Sequence, residues 1–434
     1  MSTRPEAPAA VTFREDVTTH SVTLAFLTPM FGGGVRTNQP GHGSQFKLMD
    51  DVTPVRGASV RGQLRYWWRA TSGAWCKDTH ELRRREAHLF GSAASQADTG
   101  SGPGSVATWI DATALKPGNV KPLQVFEQRA RAIRALSGIA YGAFPLSPSD
   151  ADNRNGHSAM GTLHDLGSAG TFDLRWQCNR DDADELWLAV SAWVAFGGLG
   201  GRTTRGFGQL TPAGESSHLL DAEGVLERVR AKGKPPLGDR VPAIDPGACR
   251  KVDTRGRDAI DTLNSTLGLL RDFRQGVGKG RRKGNQQPNR PGRSFWPEPD
   301  AIRRIANKSD PQHQTPVAAL KRKVFPRAAF GMPIIFHFQS RQDPGDTSLQ
   351  PAGRERMRSP LQLAIDPDGR NAHLLVMTAP RPGRTELVER RKALAVVEHT
   401  LTEEERRELA SKGSPIFTNT DVLLAFLDFA AGKR

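Results

Sequence analysis

Between residues 171 and 177 the apolar side chains Phe172, Leu174 and Trp176 alternate with Asp173, Arg175 and Gln177. This period of two marks a strand with one wet face and one buried face. Four residues on, Asp181 and Asp182 offer N-caps for a helix that carries Leu186, Ala189, Val190, Trp193 and Val194 on one side and stops at Gly197-Gly198. A short strand over 207–210 can follow. Upstream, Val22, Leu24 and Phe26 alternate in a strand over 22–27 that ends at Pro29 and Gly32-Gly33-Gly34. The spacing of Leu64, Trp67 and Trp68 predicts an amphipathic helix over 59–70 with Ser59 as its N-cap. A weaker strand is expected over 106–110, and the stretch from there to residue 171 looks like an insertion. In order these elements give β-α-β-β-α-β, the split βαβ arrangement of ferredoxin-like folds, with helices on one face of an antiparallel sheet.

A chain of 434 residues exceeds what one core organises, so two domains are expected. The first spans 1–213. Residues 214–255, rich in Gly, Pro and charge, fit an interdomain connection, and the second domain spans 256–434. There Ile260, Leu263, Leu267 and Leu270 predict a helix, 333–338 and 373–377 predict buried strands, and 385–398 has a helical composition. No fixed-period repeat or heptad pattern is present.

Lysine and arginine number 61 against 46 acidic residues, a net charge of +15. Such an excess suits a polyanionic partner, because cations that displace condensed counterions give nucleic-acid affinity that falls with salt. Solubility alone also accounts for surface charge, so its distribution decides. The three cysteines, Cys76, Cys178 and Cys249, include no CxxC pair; a reducing cytoplasm is expected, without a disulfide framework or structural zinc. The first residues lack the apolar core of a signal peptide, and no apolar run is long enough to span a membrane, so no membrane partner is expected.

The charge is clustered. Arg56, Arg61, Arg65 and Arg69 lie in a stretch without acidic residues from Val52 to Lys77. Each four-residue step advances only about 40° beyond a full turn, so the last three form one stripe. Its guanidinium forks suit phosphate oxygens, while Trp67 and Trp68 anchor the opposite face. The plain alternative, a solvated helix face, normally includes acidic partners at i,i+4, and none is present. The second constellation, GGLGGRTTRGFG over 197–208, has six glycines. Gly200, Gly201, Gly206 and Phe207, with Arg202 and Arg205, are candidates for close approach to an RNA backbone; a flexible turn is the alternative. RGFG also matches the start of an RNP1 motif, without its aromatic continuation. The third, 271–293, sets Arg271, Arg274, Lys279, Arg281, Arg282, Lys283, Arg290 and Arg293 against Asp272 alone, a net +7 (8 minus 1). It is expected to be a mobile loop that orders on RNA, or a solubilising tract. Arg36 is a further candidate contact.

The 11 histidines show no HExxH or HxH spacing. The pairs Asp50-Asp51 and Asp181-Asp182 suit turn or cap duty better than metal binding. Neither a catalytic constellation nor a cofactor or metal site is expected.

These residues resemble a known family. The glycine-rich loop at 197–208 is similar to that of the RAMP superfamily of CRISPR effector proteins. Thr28-Pro29-Met30-Phe31-Gly32, the arginine- and tryptophan-rich helix, and Glu86-Ala87-His88-Leu89-Phe90-Gly91-Ser92 resemble the family of subunit one of the type III-B Cmr complex. So do 292–304, 325–338 and 356–360; the final seventy residues match no known pattern. The resemblance implies an α+β fold of tandem ferredoxin-like (RRM-like) domains with helices packed on antiparallel sheets, plus insertions. It further implies a non-catalytic subunit that contacts the 3′ portion of the CRISPR guide RNA, the target RNA and other Cmr subunits, with cleavage left to the repeated backbone subunit. The alternative is a metal-independent RAMP endoribonuclease that processes CRISPR transcripts, with a base such as His42 near the glycine-rich loop.

Overall fold

The computed structural model describes residues 16–31, 53–92, 102–116, 136–144, 169–214, 218–275, 294–318, 320–338, 340–390, 392–411 and 417–432, with the short pairs 36–37, 46–47, 122–123 and 163–164. In the N-terminal half the elements are β1 (Val17–Phe26), α1 (Gly57–Thr71), α2 (Thr79–Phe90), β2 (Ala107–Asp111), α3 (Ser137–Ala143), β3 (Thr171–Asn179), α4 (Ala183–Phe196) and β4 (Leu210–Pro212). The first sheet is antiparallel with order β2-β3-β1-β4. Joined through α1 and α4, this is the ferredoxin-like arrangement that the alternating residues predict.

Alternation sets the two faces of this sheet. Val22, Leu24 and Phe26 of β1 and Phe172, Leu174 and Trp176 of β3 point into the core, while Thr19, Ser21 and Arg175 face water. Beneath the sheet, α1 packs on α4, and Trp67, Trp68, Trp176 and Trp193 are almost completely buried. Burying a large apolar side chain contributes on the order of 1.5–3 kcal/mol, so these indoles and their neighbours dominate the N-terminal core. Trp68 and Trp193 also satisfy their ring N–H groups, on Glu185 Oε2 at 2.9 Å and on the Gly198 carbonyl at 3.2 Å.

The C-terminal half comprises α5 (Ala222–Ala231), β5 (Cys249–Asp253), α6 (Ala259–Gln275), α7 (Glu298–Ala306), β6 (Ile334–Phe336), β7 (Thr347–Pro351), β8 (Leu361–Ile365), β9 (Asn371–Val376), β10 (Thr385–Glu389), β11 (Lys392–Val397), α8 (Glu403–Ser411) and α9 (Val422–Ala430). Strands β5-β9-β8 form an antiparallel sheet with α6 and α9 against it. This repeats the β-α-β-β-α order of the first half, without a fourth strand among the described residues. A separate four-stranded sheet, β6-β7-β10-β11, draws two strands from before β8 and two from after β9.

Four local expectations are corrected. Helix α1 starts at Gly57, so Arg56 occupies the N-cap position instead of Ser59. The fourth strand begins at Leu210, later than 207, because the preceding glycines fold into a turn. The region expected to connect the halves contains α5, packed on α4, and the strand β5. Residues 385–398 form the β10–β11 hairpin with a bulge at Leu387/Val388 and Arg390 in the left-handed region, where a helix was expected.

The halves are joined tightly. Gln209 donates Nε2 to the Ile365 carbonyl and accepts the Ile365 amide on Oε1, both at 2.7 Å. Helix α3, from the long insertion of the first half, lies against α6: Asn264 Oδ1 accepts the Gly138 and Ile139 amides, and a Cβ on Gly138 would sit 2.0 Å from the Asn264 carbonyl. A side chain therefore caps a helix 125 residues away in sequence.

Candidate nucleic-acid interface

Arg61, Arg65 and Arg69 do share one face of α1, opposite the buried Val60, Leu64, Trp67 and Trp68. The expectation that they lack acidic partners holds for α1 but not for the folded protein. Glu86 of α2, its side chain only 8% exposed, receives Arg65 Nε at 2.9 Å on Oε1 and Arg69 Nε at 2.9 Å on Oε2, with Arg69 Nη2 at 2.5 Å from Oε1. Arg61 donates to the Phe90 carbonyl. Arg65 and Arg69 nevertheless remain 38% and 41% exposed. Three guanidinium groups face one carboxylate, leaving +2 (3 minus 1) along the ridge. Glu86 fixes the orientation of two of them, and their remaining N–H groups stay open to an anion.

The glycine-rich loop takes a different place from the one its sequence predicts. Only Gly200 and Gly201 at its tip are exposed; Arg205, Gly206, Phe207 and Gly208 are buried between the two halves. Phe207 joins the C-terminal core with Leu263 and Leu267. Gly208, at φ +65°, has its Cβ position 1.9 Å from the Leu199 carbonyl oxygen, and a Cβ on Gly206 would meet Leu263 and the Leu363 carbonyl. At Gly206 and Gly208 the missing side chain thus allows protein backbone to approach closely. Thr28 seals the loop by donating to the Gly206 carbonyl at 2.6 Å and accepting the Gln209 amide at 2.9 Å.

Arg202 and Arg205 point into the same joint. Arg202, in the left-handed region at φ 64°, donates Nε and Nη2 to the Gly142 carbonyl of α3 at 3.0 and 2.7 Å. Arg205 Nη2 reaches the Phe330 carbonyl at 3.4 Å. Burial, then the neighbouring Arg274 and Arg202 charges, push the Arg205 guanidinium down to about 9. Arg271 and Arg274 belong to the last turns of α6, where a mobile loop was expected. Arg274 donates to the Tyr141 hydroxyl at 3.1 Å and lies over the Phe330 ring.

Arg56 precedes α1 and is half-buried, and Arg36 pairs through its backbone with Lys47. Lys279, Arg281, Arg282, Lys283 and Arg293 lie outside the described residues, as do His42 and Asp50-Asp51. Among the described residues no group of three or more His, Cys, Asp or Glu is placed to hold a metal, and no helix is long and apolar enough to cross a membrane. Sequence reasoning missed Glu86 as the partner of the ridge, although it stands at the head of a quoted motif. It also missed Tyr141, and it placed Arg274 in a mobile loop instead of at the joint.

A family model for the RAMP superfamily matches residues 23–211, the span from β1 through β4. Within the matched span, the glycine loop between α4 and β4 packs on the C-terminal half, as Phe207 and Gly206 show. No curated protein matches the chain. Among solved structures it is similar to apo Cmr1 from Pyrococcus furiosus, at 14% identity over 91% of this chain and 97% of that one, with a TM-score of 0.46. It is also similar to a chain of the type III-B Cmr-beta complex bound to cognate target RNA, at 11% identity over 95% and 100%, with a TM-score of 0.41. A chain from that complex with target RNA, AMPPnP and single-stranded DNA gives 10% identity over 96% and 99%, with a TM-score of 0.43.

Proposed function

We propose that the protein is a non-catalytic RNA-binding subunit of a type III-B CRISPR RNA-targeting complex, in contact with the 3′ portion of the guide RNA, with target RNA and with other Cmr subunits. The observation that carries this reading is the α1 ridge: three arginines on one face, two of them oriented by a single buried carboxylate, and all open to solvent. Such a surface binds a sugar-phosphate strand through charge and fixed N–H geometry, without base identity. The net charge of +15 and the subunit-one motifs in the sequence support it.

Titration of the full chain with single-stranded RNA across a salt series tests the reading. Arg61→Ala with Arg65→Ala should weaken binding about tenfold and flatten the salt slope by about 1.4, two phosphate contacts at about 0.7 each. Equal affinity and slope in the variant would remove the ridge from the interface.

A further inference from the structure

Six of the eight tryptophans are buried and Trp75 is partly buried, whereas Trp109 is 50% exposed. Trp109 stands in the middle of β2, the edge strand of the first sheet, on the face turned away from α1 and α4. The N-terminal core does not include its ring. An indole left in water forgoes the burial that stabilises the other seven, so its position answers to something other than folding.

Its neighbours on the face are set by strand register. Trp109 lies opposite Arg175, and Arg175 opposite Ser21, in one row across three strands; the next row is Asp111, Asp173 and Thr23. Cross-strand neighbours are about 5 Å apart and successive rows about 7 Å apart, so the ring and the charged groups share one patch. Asp173 accepts the Thr23 hydroxyl on Oδ1 at 2.8 Å and Arg175 Nη2 on Oδ2 at 3.3 Å, and the Arg175 side chain stays 54% exposed. Two carboxylates and one guanidinium leave −1 (1 minus 2) on the patch, against +2 on the α1 ridge. Such a patch repels phosphate. A nucleobase is neutral, offers a π-face to an aromatic ring, and presents amino and ring N–H donors to carboxylates.

We propose that the outer face of the first sheet is a stacking platform for an unpaired base of single-stranded RNA, with Trp109 as the ring and Asp111 and Asp173 as acceptors at the base edge. The choice of RNA rests on the function proposed above. The platform itself rests on the exposed ring and the charge around it. It complements the ridge, where charge grips phosphates, by holding a base through its ring.

The test titrates the full chain with single-stranded RNA and with an abasic strand of equal length across a salt series. Trp109→Ala should bind RNA about tenfold more weakly with an unchanged salt slope, since no cation is removed, and should bind the abasic strand as the wild type does. Trp109→Phe keeps a ring and should stay within about threefold of wild type. In the wild type itself, RNA should quench the red edge of tryptophan emission, where an exposed indole contributes, and the abasic strand should not. RNA affinity unchanged in Trp109→Ala overturns the platform and leaves the ring to a protein partner. Equal losses on both strands, or no quenching, overturn it as well. Arg61→Ala with Arg65→Ala should weaken binding of both strands and flatten the slope while keeping the quench at saturation. Binding of neither strand by the wild type overturns the RNA-binding function and the platform together, whereas binding that ignores Trp109 overturns the platform alone.

Discussion

The ridge on α1 and the joint at the glycine-rich loop each gather three arginines, but they treat the charge in opposite ways. On the ridge, Glu86 from a neighbouring helix holds two side chains by direct ion pairs, and all three face solvent. At the joint, carbonyls and a hydroxyl are the polar partners, and Arg205 is buried. A spacing of arginines along the sequence therefore does not say whether they present charge outward or store it inside. The difference lies in what the rest of the chain brings to the same place: at the ridge a carboxylate, at the joint a second domain.

Substitutions that leave the arginines in place probe this contrast. The largest effect is expected at the joint, where Gly208→Ala puts a methyl group against the Leu199 carbonyl at a positive φ. It should lower unfolding free energy by about 2–4 kcal/mol in urea titration; a loss under about 1 kcal/mol would mean that the loop does not close on the Leu199 carbonyl there. Next, Glu86→Gln releases the clamp on Arg65 and Arg69. Because both guanidinium groups are more than a third exposed, solvent screens the loss, and about 1–2 kcal/mol of stability should go. The salt slope of RNA binding should stay unchanged, since no guanidinium has been removed; a flattened slope would make Glu86 essential to the contacts themselves. The smallest effect belongs to Gly62, on the exposed side of α1 with open space around its Cβ position. Gly62→Ala should stabilise the protein by about 0.5–1 kcal/mol, whereas a loss would reveal an occupant of that face.

The element order of the N-terminal half was legible because its signals are local and strong. The alternation in β1 and β3 and the indole-rich faces of α1 and α4 each fix an element without reference to distant residues. The hairpin at 385–398 was not legible for the converse reason. Glu386, Leu387, Glu389, Lys392 and Ala393 suit a helix by composition, and only pairing, of β10 with β7 and of β11 with β10, turns them into strands. The glycine loop shows a third case: its abundance of glycine was correctly noticed, but the backbone it accommodates comes from Leu199 nearby and from Leu363 more than 150 residues away. The ridge lies between these extremes. Periodicity placed its arginines on one face, and the carboxylate that orients them belongs to the next helix.

The amide of Gln209 makes with Ile365 the two bonds that a neighbouring strand residue would make, so one side chain stands in for backbone at the rim of the other half's sheet. A displacement of β4 by even one ångström must lengthen a bond at the end of β8. Strain in the turn that precedes β4 is therefore felt at the rim of the second sheet through these two bonds.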